Sequence, residues 1–441
     1  MNKYFRESKT ISYLVSNQQK VFFLLIILLY GVVFLSHLQQ PVLLGEESYH
    51  YVSIVNEYID NFPTFVLAVI PLLIQLGILT LFYQITNKIK LSKTFTFFFV
   101  LFVVLSPFFL YSLTSISTYA IFTLLFLLGV VMEKEKWGWF AIIPFALTTF
   151  IDHFSTILVL LYLFLGKSRS VKKNVFLFFI FLLFFVNLFF LNVPLTQGPF
   201  YVTDYVGDII ADLGNIGGIS FFLIILAVIG IGLTWRNKKL YATYFILPFA
   251  ILAFILNTNT SFILSLVLIS FATTSFLTIF RQKWVYPDLK KIVALIFFLG
   301  LIFSTLSFLS QIPLQNPHND HVESLKWLED STPTNAVIFS TPENGVFIKA
   351  IAERTPFITS STKNTEILTI YNQTINAGST SDFFADFEEK RILYIYINEN
   401  SKDQFYRNRG FHVFLNDERF KLVHSSENTE VWMFKDGHNS N

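Results

Sequence analysis

From Val21 to Ser310 the chain is a succession of apolar runs close to the length that crosses a bilayer as a helix, about 20 residues. They occupy 21–36, 64–83, 95–111, 119–132, 174–193, 219–235, 241–256, 261–280 and 291–310. One further stretch, Trp137–Leu165, is too long for one span and is interrupted midway by Asp152-His153; it reads as a tight helical hairpin with Asp152 at its tip. The expected count is about eleven spans. The connecting segments differ sharply in charge. Segments 1–20, 84–94, 133–137, 166–174, 235–240 and 281–291 carry 20 Lys and Arg residues, whereas 37–63, 112–118, 151–153, 193–218 and 257–260 carry none. The positive-inside rule therefore predicts a cytoplasmic N-terminus and a C-terminal domain outside.

Composition agrees. Hydrophobic residues make up 53% of the chain and charged residues 14%, which excludes a soluble globular protein. A formal net charge of +2 gives no reason to expect a nucleic-acid partner. The absence of cysteine removes disulfides, thiolate metal sites and cysteine nucleophiles. The basic residues before Val21 with no small-residue cleavage site after it read as an uncleaved signal anchor.

After Gln311 the pattern changes to short alternating elements. Helices are predicted at Val322–Asp330, Val346–Glu353 and Glu366–Asn376, and strands at Ala336–Ser340, Phe357–Thr359 and Arg391–Ile397. Phe420–Ser425 and Glu430–Phe434 form a closing hairpin. The expected organisation is a transmembrane domain over 1–311, with an external loop at 37–63, followed by an extracytoplasmic α/β domain over 312–441.

The candidate chemistry begins at Gly45-Glu46-Glu47-Ser48-Tyr49-His50-Tyr51. Acidic residues favour the first turn of a helix through its dipole, and a helix over Glu46–Asp60 explains them without a catalytic role. Tyr51, Ile54, Val55, Tyr58 and Phe62 follow helical spacing and predict an apolar face lying on the membrane. Equally, a carboxylate within hydrogen-bond reach of an acceptor can take its proton, and a second can hold a divalent cation. His50 lies one helical turn beyond both acids. Asp152 and His153 stand in an otherwise apolar stretch, where ionisable residues are functional candidates; the alternative is a helix break with Asp152 as N-cap. Asp204, Asp208 and Asp212 share one helical face, which reads as a solvated acidic surface.

Glu47-Ser48-Tyr49-His50-Tyr51 resembles the first external loop of the oligosaccharyltransferase catalytic subunit, and Glu46-Glu47 resembles the acidic pair of protein mannosyltransferases. Both are GT-C polytopic glycosyltransferases. Ser324–Leu328, Thr332–Ile338 and Ala352–Pro356 resemble the start of the oligosaccharyltransferase soluble domain. The family's tryptophan-rich sequon-reading motif is missing; its place holds Ser340-Thr341-Pro342-Glu343-Asn344-Gly345. The resemblance implies an integral plasma-membrane enzyme moving a sugar or oligosaccharide from a polyprenyl-phosphate-linked donor to a protein or lipid acceptor. It implies Glu47 and Glu46 as catalytic carboxylates, and His50, His153 and Arg354 as donor-binding residues. It also implies a Mg2+ or Mn2+ site on Glu47, His50 and Asp152. A non-catalytic membrane scaffold derived from the same fold is the second reading. A lipid or sugar transporter is the third, since it predicts inverted repeats that this chain lacks.

The charge partition makes a direct prediction. Cysteines introduced singly at Ser379 and Ser168 are expected to label oppositely with an impermeant thiol reagent in intact cells, Ser379 from outside; the reverse pattern overturns the topology.

Overall fold

The computed structural model describes residues 9–36, 45–58, 64–135, 138–165, 171–191, 195, 210, 218–235, 241–256, 260–283, 285–315, 319–360, 362, 364–376, 384, 387–399, 401–402, 405 and 417–435. The acidic series Asp204, Asp208 and Asp212 lies outside them. In chain order the helices are α1 (Lys9–Ser16), α2 (Gln18–Ser36), α3 (Gly45–Tyr58), α4 (Thr64–Ile89), α5 (Lys93–Val104), α6 (Pro107–Thr114), α7 (Thr118–Glu133), α8 (Ile142–Thr149), α9 (His153–Leu165), α10 (Val171–Phe189), α11 (Phe221–Thr234), α12 (Tyr241–Leu256), α13 (Ser261–Arg281) and α14 (Pro287–Gln315). Then follow α15 (Asn319–Ser331), β1 (Val337–Phe339), α16 (Pro342–Ile351), β2 (Thr355–Pro356), α17 (Thr365–Ile375), β3 (Ile392–Asn398), β4 (Phe420–Ser425) and β5 (Thr429–Phe434).

Two compact units result, one of Met1–Leu38 with Ala68–Ile312 and the other of Gln39–Leu67 with Pro313–Asn441. The loop expected as part of the transmembrane domain thus groups with the C-terminal unit.

In the helical unit, Leu67–Ile89, Val171–Phe189, Ser261–Arg281 and Asp288–Ser310 are long and apolar enough to cross a membrane. The run expected as one span over 95–111 is broken: α5 and α6 meet at 64° around Ser106-Pro107. Proline at the start of α6 lacks the N–H that would continue α5, and Ser106 answers by donating its hydroxyl to the Phe102 carbonyl. Counting that pair once makes five spans among the described residues. Six further apolar helices have only 10–17 residues, so length alone supports fewer crossings than the eleven expected.

The 137–165 stretch folds as two elements, a 3-10 turn at Gly138–Ala141 leading into α8, and then α9. Asp152 makes the break. Its Oδ1 accepts from the Ser155 amide at 2.6 Å, the N-cap bond that starts α9. Asn187 of α10 donates to the Thr149 carbonyl at 2.6 Å, satisfying an orphan acceptor at the end of α8.

The second unit is built on a five-stranded sheet of order β2-β1-β3-β5-β4. The first three strands run parallel, and β5 is antiparallel to both β3 and β4. Period-two alternation divides the core. Phe339, Ile395 and Ile397 face one cluster with Tyr371, Phe387 and Phe434. Ile338, Tyr394 and Tyr396 face the other, with Leu325, Leu328 and Ile348. The sheet is therefore covered on both sides, each buried Leu, Ile or Phe contributing about 1.5–3 kcal/mol. The predicted strand at Phe357–Thr359 is found two residues earlier, as the short edge strand β2.

Two residues tie α16 and α15 to this sheet. A Cβ on Gly345 would stand 1.9 Å from the Ile358 carbonyl oxygen, so only glycine permits the approach. Arg354 is buried. Its guanidinium donates to the Thr332 hydroxyl at 3.0 Å, the Thr332 carbonyl at 2.7 Å, the Ala352 carbonyl at 3.3 Å, the Glu353 carbonyl at 3.4 Å and the Glu329 carbonyl. Removing it leaves several buried acceptors at the C-terminal end of α15 without donors. Arg354→Ala is expected to lower the stability of the full chain by about 2–5 kcal/mol. Gly345→Ala should cost about 1–3 kcal/mol. Thermal unfolding in detergent measures both, and an unchanged midpoint for either variant refutes its assigned role.

Candidate active site

Helix α3 brings the candidate acids onto the second unit. Gly45 begins it at φ 75°, a left-handed conformation suited to glycine. Gly45, Ser48, Tyr49, Val52 and Ser53 are buried, at the i, i+3, i+4, i+7 and i+8 spacing of one helical face. That face packs on α16, where the Tyr49 ring meets the Phe347 ring edge-on at 5.0 Å. The small residues Gly45, Ser48 and Ser53 allow the approach. The face predicted to be apolar is the outer one: Ile54 is exposed, and Tyr51 and Val55 are half-buried.

Glu47 is half-buried in the first turn, and Glu46 stands beside it with its side chain outside what the structure describes. His50 is solvent-accessible one turn on, its ring 6.0 Å from that of Tyr51. Loss of solvent around the imidazole and the nearby Lys349 ammonium both lower the His50 pKa, leaving the ring neutral at physiological pH. Lys349, in the last turn of α16, also faces Glu57 of α3 at 3.5 Å. Both partners are well exposed, so the pair is worth little stability; it places a cation on the α3 surface. Sequence reasoning looked to Arg354 for positive charge in this unit and did not single out Lys349. The available signal was its place near the end of the helix predicted over Val346–Glu353.

Arg354 has its guanidinium occupied by the acceptors named above, which leaves it the work of fixing α15. Nearby, the segment standing where the family's sequon-reading motif would lie forms a closed buried network. Ser340 donates to the Tyr396 carbonyl at 2.6 Å, Asn344 to the Ser340 hydroxyl at 3.0 Å, and Asn398 to the Asn344 side-chain oxygen at 2.7 Å. These residues lie at the carboxyl ends of the parallel strands β1 and β3, the edge where open α/β sheets bind ligands.

In the helical unit Asp152 is fully buried, and Tyr119 of α7 donates its hydroxyl to Oδ2 at 2.7 Å. With Oδ1 on the Ser155 amide, the carboxylate serves as the cap of α9. His153 is buried beside Asp152, its ring edge-on to Phe184 at 5.2 Å. Among the described residues no three His, Asp or Glu side chains group as a metal ion requires. Of the residues expected to hold Mg2+ or Mn2+, Glu47 and His50 lie on α3, and Asp152 accepts at both oxygens, from the Ser155 amide and the Tyr119 hydroxyl.

No protein-family model matches the chain, and comparison with curated protein sequences finds no match. Solved structures do match. The oligosaccharyltransferase of Archaeoglobus fulgidus in its apo form superposes with a TM-score of 0.59 at 11% identity, over 96% of this chain and 75% of that one. The same enzyme tethered to an acceptor peptide containing the NVT sequon gives 0.58 at 11% identity, over 88% and 70%. Its complex with zinc and sulfate gives 0.58 at 12% identity, over 93% and 72%. The chain therefore has the fold of the GT-C oligosaccharyltransferases, a polytopic helical membrane unit joined to a mixed α/β unit.

Proposed function

We propose that this protein is a membrane glycosyltransferase that moves a sugar or oligosaccharide from a polyprenyl-phosphate-linked donor to a protein or lipid acceptor on the outer membrane face. One observation supports the reading: within a GT-C fold, the acidic helix α3 packs on α16, which brings Lys349 close to His50 and Glu57, one turn and more beyond Glu47. Glu47 accepts the acceptor's proton as the glycosidic bond forms, with Glu46 secondary. Lys349 and the neutral His50 meet the departing phosphate, one as a charge and the other as a hydrogen-bond donor. His153 remains a donor-binding candidate at the start of α9. The acceptor peptide held by the archaeal neighbour supports a protein acceptor, and the absent tryptophan motif argues that any acceptor is read differently. The topology that goes with this proposal has the N-terminus in the cytoplasm, eleven crossings including the shorter apolar helices, and the second unit outside.

A second reading, a non-catalytic scaffold on the same fold, is favoured by the Ser340–Asn344–Asn398 network, which satisfies itself where an acceptor would be read. Sugar transfer in vitro from a panel of polyprenyl-phosphate donors separates the two.

Glu47→Gln is expected to lower turnover by about 10²–10⁴ with folded protein retained, since removing a general base typically costs that much. Near-normal turnover removes Glu47 from the mechanism. Lys349→Ala is expected to weaken donor binding and, by deleting a neighbouring positive charge, to raise the His50 pKa. Histidine-selective NMR titration reads that shift; an unmoved His50 resonance shows that Lys349 does not act on this surface.

A further inference from the structure

The helical unit contains a half-open cavity of about 520 Å³ that the proposed reaction does not use. Phe82, Phe99, Phe122, Phe126, Leu158 and Tyr162 contribute to a wall that is almost wholly apolar. Left empty, a void of this size forfeits dispersion contacts over its whole lining. Water is a poor filler, because each buried water needs two to four polar partners and the wall offers few. A flexible apolar chain satisfies both constraints.

One wall residue points to what that chain is attached to. Tyr162 donates its hydroxyl to Oε2 of the buried Glu133 at 2.7 Å, and Lys173 lies 5.2 Å above the Tyr162 ring and 3.5 Å from Glu133. Lys172 donates to the Glu133 carbonyl at 2.5 Å, and Lys134 follows Glu133 directly in an exposed position. Lys88 pairs with Glu135. Four lysines thus surround two glutamates. With Lys173 set against Glu133 and Lys88 against Glu135, the charges of Lys134 and Lys172 remain in excess at the end of α7 and α9 remote from Asp152.

We propose that the cavity holds an acyl chain of an anionic glycerophospholipid, whose phosphate rests against Lys134 and Lys172. The inference rests on the chain residing in a bilayer, and it requires no sugar transfer, so it stands or falls separately from the enzymatic reading. The lipid would act as a packing element between α5, α7, α9 and α13.

The test uses the full-length protein in nanodiscs of phosphatidylcholine containing a minority of phosphatidylglycerol, followed by native mass spectrometry. Wild type is expected to retain phosphatidylglycerol in preference to phosphatidylcholine. K134Q/K172Q, which alters two rim side chains, should retain about tenfold less, as loss of charge-assisted contacts predicts. Val267→Trp, which fills the cavity from α13, should exclude both lipids; should that variant fail to fold, the lysine pair decides alone. Equal retention of the two lipids by wild type, or undiminished phosphatidylglycerol in K134Q/K172Q, overturns the proposal. Displacement of phosphatidylglycerol by undecaprenyl phosphate added to the nanodiscs also overturns it, because the cavity would then take the donor's tail.

Discussion

The carboxylates of Asp152 and Glu133 are both buried among apolar helices, and the arrangement of the helical unit depends on how each is held. A charge taken out of water without partners costs several kcal/mol, so each must be satisfied locally. The solution is reciprocal. Tyr119 near the start of α7 bonds Asp152 at the start of α9, and Tyr162 towards the end of α9 bonds Glu133 at the end of α7. Each helix supplies one acid and one phenol, and the two ties stand about 21 Å apart along α7. Two parallel helices of modest length are thereby locked in register at both ends. Between the ties the helices present mainly apolar side chains, and the large cavity opens there.

The same economy governs the breaks in the bundle. Helix ends inside an apolar unit expose carbonyls and amides that lipid cannot satisfy. Asp152 answers the amide end of α9, Asn187 the carbonyl end of α8, and Ser106 the junction between α5 and α6. At these three breaks a polar side chain satisfies a backbone group that the helix end leaves free. Gln75 and Ser112 make a similar contact between α4 and α6 at 2.8 Å.

In the second unit the deciding contact is that of α3 with α16. A helix of mixed character has two usable faces, and packing selected the one with small residues because backbone can approach backbone there. Gly345 makes a second close approach of α16, against Ile358. The closeness of Lys349 to His50 and Glu57 is a consequence of the packing of α3 on α16. Arg354 is held by carbonyl groups that a solvent-facing arginine would leave to water.

Much of this was legible in the sequence. Apolar run length and the loop charges showed a polytopic helical protein, and alternation after Gln311 placed most elements of the sheet unit to within a few residues. Those properties are local: they depend on the hydrophobicity of a window or on the period of side chains along it. The Asp152 break was visible for the same reason, as an acid in an apolar stretch. Partnership was not visible. Nothing local to Lys349 or Arg354 says which is buried, because that depends on whether the carbonyls of α15 come within reach of the guanidinium. Nor does the α3 sequence reveal its packing face, since Tyr51, Ile54 and Val55 form as good an apolar stripe as Tyr49 and Val52 until α16 is brought against it. Sequence determined that acids and cations are present in these segments; tertiary structure alone decided which of them share a surface, because charge pairing and close packing act through space between residues far apart in the chain.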